Sequence, residues 1–354
     1  MTFFLASDVK EIIDRVEFQL RSLDGKSILL TGAGGFLGRN ILGVIDEANK
    51  TSLSIKVTGI DNFVSSGNFE SFFDTLSGDW FEHVQVDICD KTAVESLSNH
   101  DIIIHAAGIA SPFYYRAKPL ETLEVASNAT KYLLEHARKC NARFTFFSSS
   151  EIYGDPLPQF VPIKESYKGN VSCRGPRACY DESKRLGETL CYIYHEYYGV
   201  STNIIRPFNI YGPGMQQNDY RVMPNFASQI VKGLPLEIYA GGTQTRTFCY
   251  ITDAMVGFFK VFCDGLPGEP YNVGNDSPEV SINQLAEIFK LATRTQLKIN
   301  ITEYPDTYPQ DEPQRRCPDI KKITTQLDYS AKIGLQEGVV RFLDWAKISY
   351  NMAK

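Results

Sequence analysis

Ser27-Ile28-Leu29-Leu30-Thr31-Gly32-Ala33-Gly34-Gly35-Phe36-Leu37-Gly38 is the stretch that decides the fold of this chain. Its apolar run reads as a strand buried in a parallel sheet. Glycines then turn the chain into a helix beginning near Phe36. Gly32 permits the tight turn, Gly35 lets the backbone approach a pyrophosphate, and Gly38 lets helix and strand pack closely. Phe36 and Leu37 open the helix, where amide donors and the helix dipole suit phosphate. The spacing is GxxGxxG, and a glycine-rich turn without a ligand is the plain alternative.

A second strand, Ile55-Lys56-Val57-Thr58-Gly59-Ile60, ends at Asp61-Asn62. An acid at that place accepts hydrogen bonds from both hydroxyls of an adenosine ribose and repels a 2′-phosphate. The expected cofactor is therefore NAD rather than NADP.

Outward from these two strands, strand and helix patterns alternate. Strands are expected near 27–31, 55–60, 83–86, 101–105, 143–147 and 202–206, with helices notably over 117–139 and 179–198. This alternation predicts an α/β fold, a doubly wound parallel sheet of the Rossmann kind. Residues 1–25 form an N-terminal helical extension with Ile12, Ile13, Val16, Leu20 and Leu23 on one face, packed on the domain or on a partner subunit. Residues 26–206 are the NAD-binding domain. After about 207, Gly, Pro and aromatics become frequent and the elements look short. Residues 207–354 are expected to be mainly a smaller substrate-binding region that exchanges elements with the first.

Two clusters carry chemistry. Gly175-Pro176-Arg177-Ala178-Cys179-Tyr180-Asp181-Glu182-Ser183-Lys184 places a Tyr four residues before a Lys, on one face of a helix. An ammonium beside a phenol favours the phenolate, and a phenol of pKa about 10 needs such help to act as a base near neutrality. Phe146-Phe147-Ser148-Ser149-Ser150-Glu151 ends a strand at the carboxyl edge of the sheet, where open α/β folds bind ligands. Hydroxyls followed by a carboxylate can bind a sugar and move a proton.

Composition excludes several classes. The chain has 354 residues, 43% of them hydrophobic, and a formal net charge of −6, with no basic footprint for nucleic acid. Ile102-Ile103-Ile104-His105-Ala106-Ala107 is far too short to cross a membrane and reads as a buried strand. The N-terminal residues lack the basic start and long apolar core of a signal peptide. Eight cysteines lie scattered without zinc spacing, which predicts reduced thiols in a cytoplasmic protein and no metal site.

After residue 25 the sequence resembles the extended short-chain dehydrogenases that act on nucleotide sugars. The resemblance is carried by Thr31 to Gly38, Asp61-Asn62-Phe63, Val86-Asp87-Ile88, His105-Ala106-Ala107, Ser149-Ser150-Glu151, Tyr180 with Lys184, Asn209-Ile210-Tyr211-Gly212-Pro213 and Thr245-Arg246-Thr247-Phe248. Within that group it is most similar to UDP-glucuronate decarboxylases, through Glu151-Ile152-Tyr153-Gly154-Asp155-Pro156, the Gly175 to Glu182 run, Asn218-Asp219-Tyr220-Arg221-Val222 and Gln314-Arg315-Arg316-Cys317-Pro318-Asp319-Ile320. Gly214 and Tyr220 stand where those enzymes usually show Arg and Gly.

The resemblance implies the roles. Asp87 and Ile88 would hold the adenine, and Ala106 and Ala107 would line the cofactor. Tyr180 would take the proton of the sugar 4-hydroxyl, and Lys184 would lower the Tyr180 pKa and bind the nicotinamide ribose. Ser149 would position the 4-oxygen, Glu151 would orient the sugar and assist at carbon 5, and Arg316 would approach the carboxylate. Ser150, Asn209, Arg221 and Arg246 would bind substrate, Asn209 and Arg246 at the diphosphate. The 4,6-dehydratases place Asp before the Glu, where this chain has Ser150; typical 4-epimerases carry no Glu at position 151. Decarboxylation is the first reading; epimerisation, dehydration and a non-catalytic NAD-binding regulator are the alternatives. Relatives of this kind also pair two helices per subunit, which implies a homodimer through Leu133, Leu134, Leu190, Tyr194 and Tyr198.

Overall fold

The structure is a computed structural model that describes residues 3–65, 70–293, 297–303 and 313–351. Seven strands form one sheet in the order Pro270–Val273, Thr202–Pro207, Arg143–Phe147, Ile102–His105, Ser27–Thr31, Lys56–Ile60, Phe81–Val84. Every neighbouring pair is parallel. The order runs outward from Ser27–Thr31 in both directions, so the crevice opens beside that strand's carboxyl end. Alternate side chains enter different cores, as a period of two requires. Ile28, Leu30, Ile102 and Ile104 join one cluster, and Leu29, Ile103, Phe144 and Phe146 join the other. Both faces are covered by helices, which is why these strands read as unbroken apolar runs.

Three local expectations need correction. The helical pattern over 117–139 is three helices, Pro112–Ala117, Pro119–Ala126 and Asn128–Cys140. Pro119 lacks an N–H and suits only a first turn, and Lys118 ahead of it leaves the helical region at φ −133°, ψ 61°. The third strand is Phe81–Val84 rather than 83–86. Pro270–Val273, which opens with a proline, is a seventh strand that the sequence pattern did not reveal. Its proline is tolerated because the strand lies at the sheet edge.

The N-terminal helix, Ala6–Ser22, buries Ile12, Val16 and Leu20 against the chain's own helices Ile251–Asp264 and Phe36–Asn49. Ion pairs fix it further: Asp8 and Glu11 to Arg341 at 2.9 and 3.1 Å and Arg15 to Asp253 at 2.7 Å. After residue 207 the strands are short, but Ile251–Asp264 and Leu335–Ser349 are full-length helices. A small sheet there positions two arginines. Thr245–Arg246 pairs in parallel with Arg315–Arg316, setting Arg246 opposite Arg316.

Candidate active site

The glycine turn has the geometry its sequence demands. Gly32 has φ +73°, and a Cβ there would stand 2.7 Å from the Ala107 amide nitrogen. A Cβ on Gly38 would come within 2.2 Å of the Gly32 carbonyl oxygen, so helix and strand approach as closely as backbone allows. Thr31, His105 and Ala107 lock the floor. The His105 ring lies 2.7 Å from the Thr31 hydroxyl through Nδ1 and 3.1 Å from the Val125 carbonyl through Nε2. A carbonyl only accepts, so Nε2 carries the proton and Nδ1 accepts from Thr31. Burial pushes the His105 pKa down to about 3, with the Lys184 charge adding to the effect, so the ring stays neutral.

Above this floor lies a cleft of about 160 Å³, lined by Gly32, Gly35, Asp61, Asn62, Asp87, Ile88, Ala106 and Ala107. Asp61 accepts from the Gly34 amide at 2.8 Å and from the Phe63 amide at 2.7 Å. Each carboxylate oxygen has a second lone pair, so hydroxyls can still be accepted. A second cleft of about 270 Å³ holds Phe36, Leu37, Ser149, Ser150, Glu151, Tyr180, Lys184, Asn209, Arg221, Arg246 and Arg316. Ala106 and Gly108 line both clefts, so one elongated ligand can run through the two. Of the residues chosen from sequence, Gly38 alone lines neither; its work is packing. The glycine cradle, the acid at the strand end and the continuous cleft fit a dinucleotide.

Tyr180 and Lys184 project from helix Ala178–Tyr198 into the second cleft, both buried. Burial pushes the Tyr180 pKa up to about 12, against a hydrogen bond from Ser149 that lowers it. Burial also pulls Lys184 down to about 8, which leaves it mainly protonated at neutral pH. The Lys184 ammonium donates to the Phe147 carbonyl at 2.7 Å and sits 5.9 Å from the Tyr180 ring centre. On the Tyr180 phenol, burial outweighs the lowering by the Ser149 hydroxyl and by the Arg221 charge.

Glu151 lies in the short turn Ser150–Tyr153 that follows strand Arg143–Phe147. Arg316 grips it with both ends of its fork, Nη1 to Oε1 at 2.6 Å and Nη2 to Oε2 at 2.7 Å. Arg177 donates to the same Oε2. Burial works to raise the Glu151 pKa, but Arg177, Arg316 and Arg246 together hold it below the ordinary carboxylate range. The carboxylate is ionised at neutral pH.

The remaining substrate candidates are pinned by their own chain. Asn209 donates to the Thr247 carbonyl at 2.8 Å. Arg246 donates to the carbonyls of Thr245 and Pro313, and Arg221 forks onto Asp219. Three residues at the site had no role from sequence. Arg177 was quoted only as part of a motif. Ser148 lines the cleft with a buried hydroxyl that has no partner among the described residues. Arg39 is buried under the glycine turn, bonds the Gly34 carbonyl and reaches the Gly214 carbonyl at 2.6 Å. An Arg inside a glycine fingerprint gives no signal until the fold shows what it reaches.

A family model described as "NAD dependent epimerase/dehydratase family" matches residues 28–274. The chain belongs to this family. It is 35% identical over 312 residues to UDP-glucuronic acid decarboxylase 3 of Arabidopsis thaliana, covering 88% of this chain and 86% of that one. It is 36% identical over 320 residues to UDP-glucuronic acid decarboxylase 1 of Xenopus tropicalis, covering 90% and 72%. Among solved structures it resembles a UDP-glucuronic acid 4-epimerase from Bacillus cereus, seen with UDP-glucuronic acid and NAD (TM-score 0.76, 26% identity, 91% and 99% covered). A dTDP-glucose 4,6-dehydratase from Streptomyces venezuelae shares the fold (TM-score 0.80, 22% identity, 92% and 98% covered). Family membership makes NAD the cofactor. No helix among the described residues is long and apolar enough to cross a membrane.

Proposed function

We propose that this chain converts UDP-glucuronate to UDP-xylose and carbon dioxide through a 4-keto sugar. One observation carries the choice: Ser150, not an acid, precedes a Glu151 that Arg177 and Arg316 hold ionised. Loss of water from a hexose needs a proton donor at that strand end, and neither residue supplies one. An ionised Glu151 accepts from sugar hydroxyls and keeps Arg316 beside the carboxylate-bearing carbon.

The steps follow from the side chains. Tyr180 accepts the proton of the 4-hydroxyl, with Ser149 holding the same oxygen. NAD supplies a hydride acceptor that takes hydride from carbon 4 and later returns it, so none is consumed. The 4-keto acid is a β-keto acid. Its C5–carboxyl bond breaks, carbon dioxide leaves, and the electron pair becomes an enolate on the 4-oxygen, which Ser149 and Tyr180 stabilise by hydrogen bonding. A proton delivered from solvent water to carbon 5 restores the ketone, and Tyr180 gives back its own proton to the 4-oxygen as carbon 4 is reduced. Asn209, Arg221 and Arg246 line the same cleft and suit the diphosphate, for which Arg has the right fork.

Incubation of the NAD-bound protein with UDP-glucuronate is expected to yield UDP-xylose and carbon dioxide with no net NADH. Inversion at carbon 4, or dehydration of a neutral hexose, would reject decarboxylation. Retained NAD with no turnover of any nucleotide sugar would favour the regulator. Asp61→Ala is expected to abolish the preference for NAD over NADP, measured as the ratio of dissociation constants; an unmutated protein that binds both equally would reject the role of Asp61.

The assembly we infer is a two-fold homodimer through the outer faces of the same helices. Of the five residues expected there, Leu133, Leu134 and Tyr194 are buried in the chain's own core, Leu190 is half-buried and Tyr198 is exposed. The exposed apolar side chains on these helices include Leu120 and Leu123 of Pro119–Ala126 and Leu186, Tyr192, Tyr197 and Tyr198 of Ala178–Tyr198, two helices packed on each other. Light scattering at micromolar concentration is expected to give the mass of two chains, and Leu186→Glu to halve it. All eight cysteines are unpaired, which supports work in a reducing compartment such as the cytoplasm.

A further inference from the structure

Glu151 has two guanidiniums where one would satisfy it. Arg316 arrives from the small sheet of the C-terminal region and occupies both carboxylate oxygens. Arg177 arrives from the start of the helix that carries Tyr180 and takes Oε2 again. Both arginines are 5% exposed. Arg177 is anchored on its other side, its Nε 3.6 Å from Asp181. The Arg316 Nε, by contrast, is buried with no hydrogen-bond partner among the described residues. One arginine is held at both ends, and the other keeps a donor in reserve at the wall of the cleft.

We propose that Arg177 is a positioning residue: it holds Glu151 in place and charge-compensated while Arg316 turns donors toward the carboxylate of the bound sugar. This rests on the uronate reading above. A buried carboxylate stripped of its only cation is strongly unfavourable, so Arg316 by itself could not serve both Glu151 and a substrate. With Arg177 on the shared oxygen, Glu151 never loses its last partner. The groups facing Glu151 are Arg177, Arg316 and Arg246, together with the Tyr180 phenol, so removing Arg177 leaves the more distant Arg246 and a contested Arg316.

The test compares Arg177→Gln, Arg177→Lys, Glu151→Gln and the double variant Arg177→Gln/Glu151→Gln, each checked for retained NAD. Arg177→Gln is expected to keep NAD and to lose roughly 10²-fold in kcat, the scale of a misplaced catalytic contact. Its KM for UDP-glucuronate should rise, and the acid limb of its pH profile should move up by about one unit or more as Glu151 loses a cation. Arg177→Lys keeps the charge without the fork, so its acid limb should stay near that of the unmutated enzyme. The double variant should be no slower than Glu151→Gln, because Arg177 acts through Glu151. An unmoved acid limb in Arg177→Gln, or a double variant that multiplies the two single losses, would overturn the proposal. Infrared difference spectra give a readout that needs no substrate. A protonated-carboxyl band should emerge at higher pH in Arg177→Gln than in the unmutated protein and vanish in the double variant. If UDP-glucuronate is not turned over at all, the decarboxylase reading fails separately, and that band alone decides whether Arg177 keeps Glu151 charged; no difference in the band rejects it.

Discussion

Tyr180→Phe is expected to lower turnover of UDP-glucuronate by roughly 10²–10⁴-fold, the usual worth of a placed proton-transfer group. The change removes one oxygen and leaves the ring, which stacks on Tyr115 with centroids 5.6 Å apart. The Lys184 bond to the Phe147 carbonyl is untouched, so the helix and the nicotinamide side of the cleft keep their shape. NAD should therefore stay bound, and the melting temperature should hardly move. The cause is specific. Burial holds the Tyr180 phenol protonated in the free protein, so it becomes a base only with the site's help, and no neighbouring side chain replaces its oxygen. Single-turnover absorbance at 340 nm is the check. A Tyr180→Phe protein that still reduces NAD at more than a tenth of the unmutated rate would remove Tyr180 from the mechanism.

Glu151→Gln is expected to be nearly as severe, and to show in stability as well. It neutralises the one carboxylate that both Arg177 and Arg316 bond, leaving two buried guanidiniums facing a neutral amide. Breaking such a buried pair costs about 3–5 kcal/mol. The pH dependence has a definite sign. The folded Glu151 pKa lies below the unfolded value of about 4.3. Its contribution is therefore complete above that value and is lost as pH falls through the folded pKa. The variant should be less stable than the unmutated protein at neutral pH, and the gap should close in acid. Decarboxylated product should fall by roughly 10²–10⁴-fold, while oxidation at carbon 4, which Tyr180 and Ser149 carry, should fall less. Equal loss of both steps would mean that Glu151 serves binding alone.

The parts of the site legible in sequence were those governed by local rules. The turn at Gly32 needs a positive φ, and Gly38 needs the absence of a Cβ; both are properties of a single residue and its immediate backbone. Tyr180 and Lys184 share a face because a helix repeats every 3.6 residues. Asp61 was found because it ends the strand beside the glycine turn. What sequence missed has a common cause. The single helix read across 117–139 failed because a hydrophobic pattern can continue through a break at Pro119 that only backbone angles reveal. Pro270–Val273 was missed because its proline argues against a strand, and only its place at the sheet edge makes it tolerable. Part of the expected dimer face turned inward because periodicity marks which residues are apolar, not whether they face their own sheet or solvent; Leu133 and Leu134 face the sheet, while Tyr198 is exposed.

By itself, then, the sequence determined the parallel sheet, the dinucleotide turn and the Tyr180–Lys184 pair, because each depends on backbone geometry or on spacing within one element. Tertiary structure alone decided the charge state of the site. Glu151, Arg177, Arg246 and Arg316 come from a strand end, a helix start and two strands of a small sheet, and pairing Arg246 opposite Arg316 depends on a register that no local pattern encodes. Arg39 reaches Gly214 across the same long distance in sequence. Ionisation follows from burial and from charges a few ångströms away, and those distances exist only once the chain has folded.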